Sequence, residues 1–201
     1  MTETLPALAL FAFASSITPG PNNLMLMASG ANFGLRRTVP HMLGITLGHG
    51  AQVALVGLGL LAVFTQFPWL RLAILVVCSV YLLVLAWRVA TAAPPGDAPA
   101  DARPLGFLGA AAFQWVNPKA IYMSVYAQAT YAPEGPIWLS AGLVAVVFAA
   151  INLPSVAVWA WGGVQVRRIL ATPTRLRVFN GTMALLLVAS LYPIVTAEWM
   201  P

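Results

Sequence analysis

Long apolar segments alternate with short polar separators along this chain, and six of them have the length of a membrane-spanning helix. Each segment is close to the roughly 20 apolar residues that cross a hydrocarbon core of about 30 Å. The separators collect proline, glycine and charged residues, as turns between spans do. The predicted spans are residues 5–34, 40–64, 69–90, 105–130, 137–162 and 178–197.

The first span is expected to stay in the protein rather than to be removed as a signal peptide. No Lys or Arg precedes its apolar run, and the apolar character continues to Phe33. A signal peptide has a basic amino-terminal region and a shorter apolar stretch. We therefore predict an uncleaved spanning segment.

Two of the predicted spans are interrupted at matching depth. Thr18–Asn23 interrupts the first span and Val116–Lys119 interrupts the fourth. At ~1.5 Å per helical residue, each interruption lies roughly 18–20 Å into its span, which is close to the middle of a membrane. The sequence therefore predicts two broken helices.

Unwound backbone at this depth persists only where it is buried in protein or lines a wet cavity, because lipid offers no hydrogen bonds. Paired interruptions in the two halves of a polytopic chain are typical of a transporter's substrate site. The alternative is that the prolines only kink packed helices. The predicted substrate-binding residues are Thr18, Pro19, Gly20, Pro21, Asn22, Asn23, Asn117, Pro118 and Lys119.

Arginine distribution predicts the orientation, because Lys and Arg mark the cytoplasmic ends of membrane spans. One side carries Arg71 alone, beside three glutamates, so both termini are predicted outside the cell in a multi-pass membrane protein. Tryptophans at span ends, Trp159 among them, are expected at the membrane interface. The arginines of the predicted cytoplasmic side are Arg36, Arg37, Arg88, Arg103, Arg167, Arg168, Arg175 and Arg177.

An odd number of spans on each side of the central linker predicts that the second half repeats the first half upside down. We predict one all-α integral membrane domain, 1–201, with three-span repeats at 1–90 and 105–201 and a cytoplasmic linker at 91–104. The matching interruptions support this repeat, rather than any residue identity between the halves.

Composition agrees with a membrane protein and excludes several other classes. Hydrophobic residues make up 60% of the chain, charged residues 7%, and the mean hydropathy is +0.85. The formal charge of +5 comes from separator arginines and gives no solvated basic face for nucleic acid. No metal or cofactor site is predicted. Monomer and homodimer are both left open.

The interruptions suit a carboxylate ligand. A half-helix that begins after Pro21 presents unpaired N–H groups and a partial positive charge, and Thr18 or Asn22 is expected to cap them. Gly20 is expected to supply backbone freedom. Lys119 near the bilayer centre costs at least ~2.5–3.5 kcal/mol, and no acidic residue lies within a predicted span to neutralise it. A substrate carboxylate would do so, unless the lysine snorkels to the interface.

The run TPGPNNLMLMASGANFGLRR, followed by GITLGHG and later by NPKA, resembles the LysE/RhtB family of lysine and homoserine/threonine exporters. The resemblance covers essentially the whole chain in length and span pattern. It implies a small inner-membrane carrier that exports amino acids, driven by the proton gradient. Many relatives carry an acidic residue near GITLGHG, where this chain has His49, and this departure puts the family's ion-coupling assignment in question.

Three further polar or aromatic residues fall near the predicted centre of the membrane. His49 lies ~14 Å into the second span and titrates near neutral pH, so it is the candidate for proton coupling. Asn152 occupies the position that the inverted repeat pairs with His49, and Trp115 adjoins the second interruption; both are candidates to line the cavity. Interhelical hydrogen bonding explains His49 and Asn152 equally well. His41 is expected at the cytoplasmic surface.

We predict a secondary transporter that exports a small neutral amino acid by alternating access. A cationic substrate would require an intramembrane acid, which the spans lack. One alternative is an intramembrane serine protease with Ser29 as nucleophile and His49 as base. Another is a small-cation exporter, although two histidines and one cysteine make a poor metal site.

Overall fold

The computed structural model describes residues 4–60, 66–67, 69–92, 103–169 and 172–192, and within them the protein is entirely helical. Eight α-helices occur in these residues, with no strand. The all-α prediction is therefore confirmed for the described part of the chain. The helices are α1 (Thr4–Ile17), α2 (Pro21–Phe33), α3 (Leu35–Leu55), α4 (Trp69–Ala90), α5 (Phe107–Gln114), α6 (Pro118–Tyr131), α7 (Ile137–Ile169) and α8 (Pro173–Ala189).

Both predicted interruptions are present as helix breaks. The first break comprises residues 18–20, between α1 and α2, and the second break comprises residues 115–117, between α5 and α6. Proline stands at the first position of both α2 and α6, where its missing N–H leaves no intrahelical partner unsatisfied. The depth of these breaks in a membrane stays a prediction.

In the described part of the chain, three helical stretches are long and apolar enough, by length and composition, to cross a membrane. They are Leu35–Leu60, Leu72–Ala90 and Ile137–Ile169, and the first includes a π-helical end at Val56–Leu60. Thr4–Ile17 is apolar but shorter. These findings fit a multi-pass membrane protein.

Three span boundaries differ from the predictions. The sixth span begins at Pro173, five residues before its predicted start at 178. The second span begins at Leu35 rather than at residue 40, because Gly34 turns the chain within a single residue at a φ of 78°, a value that favours glycine. Arg36 and Arg37 therefore lie in the first turn of α3. The fifth span continues to Ile169, seven residues beyond its predicted end at 162. Residues 193–197 of the last predicted span lie outside the described residues.

Small residues bring two pairs of helices into close contact. A side chain on Gly30 of α2 would collide with the carbonyl of Ala160 on α7, and one on Gly163 of α7 would collide with the carbonyl of Met27. Gly44 and Gly48 of α3 face α5 in the same way. Such small residues are typical of tight helix packing in membranes.

The helix pairing follows a regular pattern. The first broken helix, α1–α2, packs on α7, whereas α5 of the second broken helix packs on α3. In addition, α3 packs on α7, α4 on α8 and α1 on α6. The two broken helices are thereby brought together between α3 and α7.

Candidate functional site

Lys119 links the two breaks. It lies in the first turn of α6, and its ammonium group donates to the Thr18 carbonyl at 2.9 Å, the Thr18 hydroxyl at 2.9 Å and the Pro19 carbonyl at 3.2 Å. These acceptors match the three N–H donors of a lysine. They also lie at the carboxyl end of α1, where the helix dipole is negative. The lysine therefore has protein oxygens as partners without any carboxylate.

Carbonyls of the first break and of the last turn of α1 also accept hydrogen bonds from side chains of α2 and α7. The Asn23 amide donates to the Ser16 carbonyl at 2.8 Å and to the Thr18 carbonyl at 2.7 Å. The Trp159 indole donates to the Ile17 carbonyl at 2.9 Å. Trp159 therefore does not lie at a helix end as predicted, because α7 continues ten residues beyond it to Ile169 and the indole donates to the first break.

The amino-terminal ends of the two half-helices differ in how they are capped. No side chain caps α2, so the expected capping by Thr18 or Asn22 does not occur. Thr18 donates to the Ser15 carbonyl instead, at 2.9 Å. In α6, the Asn117 side chain accepts from the Lys119 backbone N–H at 3.2 Å. The start of α2 is thus the half-helix end that keeps backbone donors free of side-chain caps.

The absence of a side chain at Gly20 provides space for Lys119 rather than backbone freedom. Its φ of 177° and ψ of 175° are extended values that any residue adopts, so the expected conformational reason is wrong. A Cβ at this position would lie 3.0 Å from Cδ and 3.2 Å from Nζ of Lys119. The missing side chain therefore makes room for the lysine to reach Thr18.

A polar cavity lies where the breaks meet. Its volume is about 350 Å³ including the open space at its mouth. None of the described residues that line it is acidic. The lining residues are Ser15, Ser16, Gly20, Pro21, Asn22, Asn23, His49, Gln114, Asn117, Lys119, Ala120, Met123, Asn152 and Val156.

The cavity brings together most, but not all, of the residues that the sequence singled out. Thr18 and Pro19 contact Lys119 but do not line the space, and Pro118 and Trp115 are not among its lining residues. The other predicted substrate-binding residues line it, as do His49 and Asn152. Their function stays a prediction.

His49 is 2% exposed and makes one hydrogen bond. Its Nδ1 lies 3.2 Å from Oε1 of Gln52, while Nε2 is buried without a partner among the described residues. The ring packs edge-on against Phe148 at 5.0 Å between centroids. The free nitrogen leaves the histidine able to interact with a ligand or a water molecule in the cavity.

Sequence reasoning missed the two glutamines that join the helices around the cavity. Gln114 exchanges hydrogen bonds with the Asn22 amide group, at 2.8 and 3.3 Å. Gln52 donates to the Gln114 carbonyl at 2.6 Å and accepts from Ser124 at 3.2 Å. Both are amides within apolar spans, and Gln52 follows His49 by three residues on one helix face, which was the available signal.

A second network connects α1, α3 and α7 on another side of the cavity. The Asn152 amide donates to the Ser16 hydroxyl at 3.1 Å and accepts from the Thr46 hydroxyl at 3.1 Å. All three side chains are buried. Interhelical hydrogen bonds of this kind fix helix positions around a site within apolar surroundings.

The arrangement suits a small zwitterion. The uncapped start of α2 and the Lys119 ammonium offer positive potential and N–H donors to a carboxylate. Hydroxyl and amide oxygens of Ser15, Ser16 and Gln114 offer acceptors to an ammonium group. Broken helices around such a cavity are typical of polytopic membrane transporters.

Comparison with known proteins identifies the family. The LysE type translocator family matches residues 13–190, and the chain belongs to this family. A cysteine/O-acetylserine efflux protein of Escherichia coli K12 is 30% identical over 94% of this chain and 96% of its own length. One of Klebsiella pneumoniae is 28% identical over 84% of this chain and 87% of its own length. No solved structure matches the chain.

Family membership decides between the alternatives from the sequence. The relatives are efflux proteins, which confirms that the chain is not an enzyme. The protease alternative also fails on geometry, since the Ser29 hydroxyl lies 2.8 Å from the Thr38 hydroxyl and His49 bonds to Gln52 instead. No group of three potential metal ligands occurs among the described residues.

Proposed function

We propose that this protein exports a small neutral amino acid across the bacterial inner membrane. The relatives named for cysteine and O-acetylserine efflux suggest a substrate of that size and charge. The cavity supports a neutral substrate because no acidic residue is available among its described lining residues to pair with a cationic side chain. O-Acetyl-L-serine is the first substrate to test.

The placement of Lys119 carries this proposal. Lys119 is the only lysine in the chain, and among the described residues it is the only charged side chain that lines the cavity. Its three partners are neutral oxygens, so a substrate carboxylate would form a stronger, charge-assisted bond in place of one of them. If the carboxylate also draws the ammonium away from the other two oxygens, the lysine leaves the first break and the contact between the two broken helices loosens.

Alternating access follows from that release. The helix pairing supports an inverted repeat, because exchanging the first three predicted spans with the last three preserves the most extensive helix contacts. The first broken helix packs on the fifth span as the second packs on the second span, and the third packs on the sixth. Transporters with inverted repeats move one repeat against the other around a central site.

The arginines support a cytoplasmic assignment for one end of the helices. Arg36 and Arg37 lie at the start of α3, Arg88 at the end of α4, and Arg167 and Arg168 at the end of α7. With this end inside the cell, both termini are outside. The proton gradient is the proposed driving force, and His49 is the proposed coupling residue.

Efflux measurements test the proposal. Cells that carry the wild-type chain and are loaded with radiolabelled O-acetyl-L-serine should release it faster than cells with an empty vector. Lys119→Met should reduce release to the vector level, because the carboxylate loses its charged partner at low dielectric. Arg36→Gln is the matched control, since it removes one positive charge from an exposed position.

Two outcomes would contradict the proposal. Wild-type release of O-acetyl-L-serine and cysteine at the vector level would remove the export function. Suppose that Lys119→Met releases O-acetyl-L-serine at the wild-type rate, with equal amounts of protein in the membrane. The lysine would then stabilise the first break without binding the substrate.

A further inference from the structure

A second cavity lies away from the central one, between α2, α3, α4 and the segment before α5. Its volume is about 550 Å³ including its open mouth. The first turn of α2 lines the central cavity, whereas the rest of α2, from Met25 to Phe33, lines this one. Met25 and Phe113 belong to one buried apolar cluster, and Phe113 directly precedes Gln114 of the central cavity. An apolar layer therefore separates the two spaces.

Two arginines give the second cavity a positive charge. Arg88, in the last turn of α4, and Arg103, before α5, both line it, and no acidic residue does so among the described residues. Arginine presents a planar set of donors that matches a carboxylate or a phosphate. The cavity therefore suits an anionic group.

His41 adds an unpartnered polar side chain to the same cavity. It is 1% exposed, so the expectation of a surface histidine is wrong. Neither ring nitrogen has a hydrogen-bond partner among the described residues. Because buried polar groups are nearly always satisfied, this ring lacks the partner that a ligand or water molecule would supply.

The remaining lining selects for a small molecule with an apolar part. Met25, Leu85 and Val89 are apolar, while the Ser29 hydroxyl already bonds to Thr38 and the Asn32 amide to Asn180. Arginine donors, an unpartnered imidazole and apolar side chains together match a carboxylate, an ammonium group and a short side chain. This combination favours an amino acid over a simple phosphate.

We propose that the second cavity is a cytoplasmic access site, where Arg88 and Arg103 bind the carboxylate of the amino acid before it reaches the central cavity. His41 accepts a hydrogen bond from the ammonium group of the same molecule. This inference rests on the proposed export function and adds a second substrate site to it.

Kinetics from the cytoplasmic side test the access site. In inside-out vesicles, Arg88→Gln/Arg103→Gln should raise the half-saturating concentration of O-acetyl-L-serine about ten-fold, as for a lost charge-assisted bond, and change the maximal rate much less. Arg36→Gln/Arg175→Gln removes equal charge from exposed positions outside this cavity and should leave the half-saturating concentration unchanged. Equal shifts in both double variants would show a general surface-charge effect and overturn the proposal.

Equilibrium binding separates this proposal from the export function. Purified wild-type protein should bind two molecules of O-acetyl-L-serine per chain, and Lys119→Met should keep only the site that depends on the arginines. His41→Phe should weaken that remaining site, whereas His41→Gln should retain more of it. If the wild type binds only one molecule per chain, the access site is wrong even if export is observed. If it binds two molecules but does not transport them, the two binding sites stand and the export function is wrong.

Lipid composition provides the last arm of the test. The arginine-dependent binding should be the same in nanodiscs of phosphatidylcholine alone and in nanodiscs that also contain phosphatidylglycerol. If anionic lipid abolishes binding of the amino acid to this site, the cavity holds a lipid phosphate, as basic pockets at cytoplasmic membrane faces do, and the proposal is wrong.

Discussion

The two broken helices meet at one cavity, yet their breaks are held in different ways. The second break is a tight turn that forms its own backbone hydrogen bonds: the N–H groups of residues 115, 116 and 117 donate to the carbonyls of residues 112, 113 and 114 at 3.1–3.3 Å. Between α1 and α2, the first break instead bends at Thr18 and at Gly20, and the backbone angles of Gly20 are extended. Its carbonyls accept from side chains that lie on other helices.

The donors to the first break come from three different helices. Asn23 of α2, Lys119 of α6 and Trp159 of α7 all donate to carbonyls between residues 16 and 19. A break that depends on distant donors changes shape when those helices move, whereas a self-bonded turn moves as a unit. We therefore expect the geometry of the first break to depend on the positions of α2, α6 and α7.

The largest expected effect comes from blocking the lysine without removing it. Gly20→Val places side-chain atoms where Lys119 passes, so the ammonium should leave Thr18 and efflux should fall below about a tenth of wild type, equivalent to ~1.4 kcal/mol. Gly106→Val is the matched control, because Gly106 precedes a helix in the same way and has open space around it. Equal loss of efflux in both variants would assign the effect to the helix start instead of the lysine.

The positions of both breaks were predictable from the sequence because proline carries a local physical signal. A proline that directly follows or precedes asparagine inside an apolar segment removes a helical N–H beside a residue that favours helix ends, so it predicts a break. Pro40 and Pro154 have no such neighbour and lie inside continuous helices. Polar residues within the predicted spans likewise identified most of the polar side chains that line the cavity, including Asn22, Asn117 and Asn152.

The partners of these residues were not predictable, because they depend on how distant helices approach. Lys119 and Thr18 are 101 residues apart, and Trp159 and Ile17 are 142 apart. Trp159 was predicted at a span end, and only the length of α7 shows that it lies well inside the helix. His41 was misplaced for the same reason, since its burial comes from neighbouring helices rather than from its own sequence.

Stability should differ between the breaks when each loses an asparagine. Asn23→Ala leaves the buried Ser16 carbonyl without this donor and removes one of the bonds to Thr18, at an expected cost of ~1–3 kcal/mol. Asn117→Ala removes one helix cap, typically about 1 kcal/mol. The melting temperature of the detergent-purified protein should therefore fall further for Asn23→Ala. A larger fall in melting temperature for Asn117→Ala would mean that the second break depends more on its asparagine than the first break does.

A smaller effect is expected from the third donor to the first break. Trp159→Phe keeps an aromatic ring but removes the bond to the Ile17 carbonyl, so about 1 kcal/mol of stability should be lost. Trp161→Phe is the control, because Trp161 is 55% exposed and two residues away on the same helix. Equal melting temperatures for the two variants would show that the indole bond contributes nothing to holding the break.

The smallest effect on basal efflux is expected at His49, which reaches the second break only through Gln52. The Gln52 amide donates to the Gln114 carbonyl whether or not His49 is present, so His49→Gln should leave the turn intact. If His49 couples transport to protons, efflux from preloaded vesicles without a pH gradient should stay near wild type, and the response to an imposed gradient should disappear. Nearby Lys119 disfavours a second positive charge in the cavity unless a substrate carboxylate screens it, so proton and substrate would bind together. A variant that responds to the gradient as wild type does would make His49 a packing residue against Phe148, with the coupling group elsewhere.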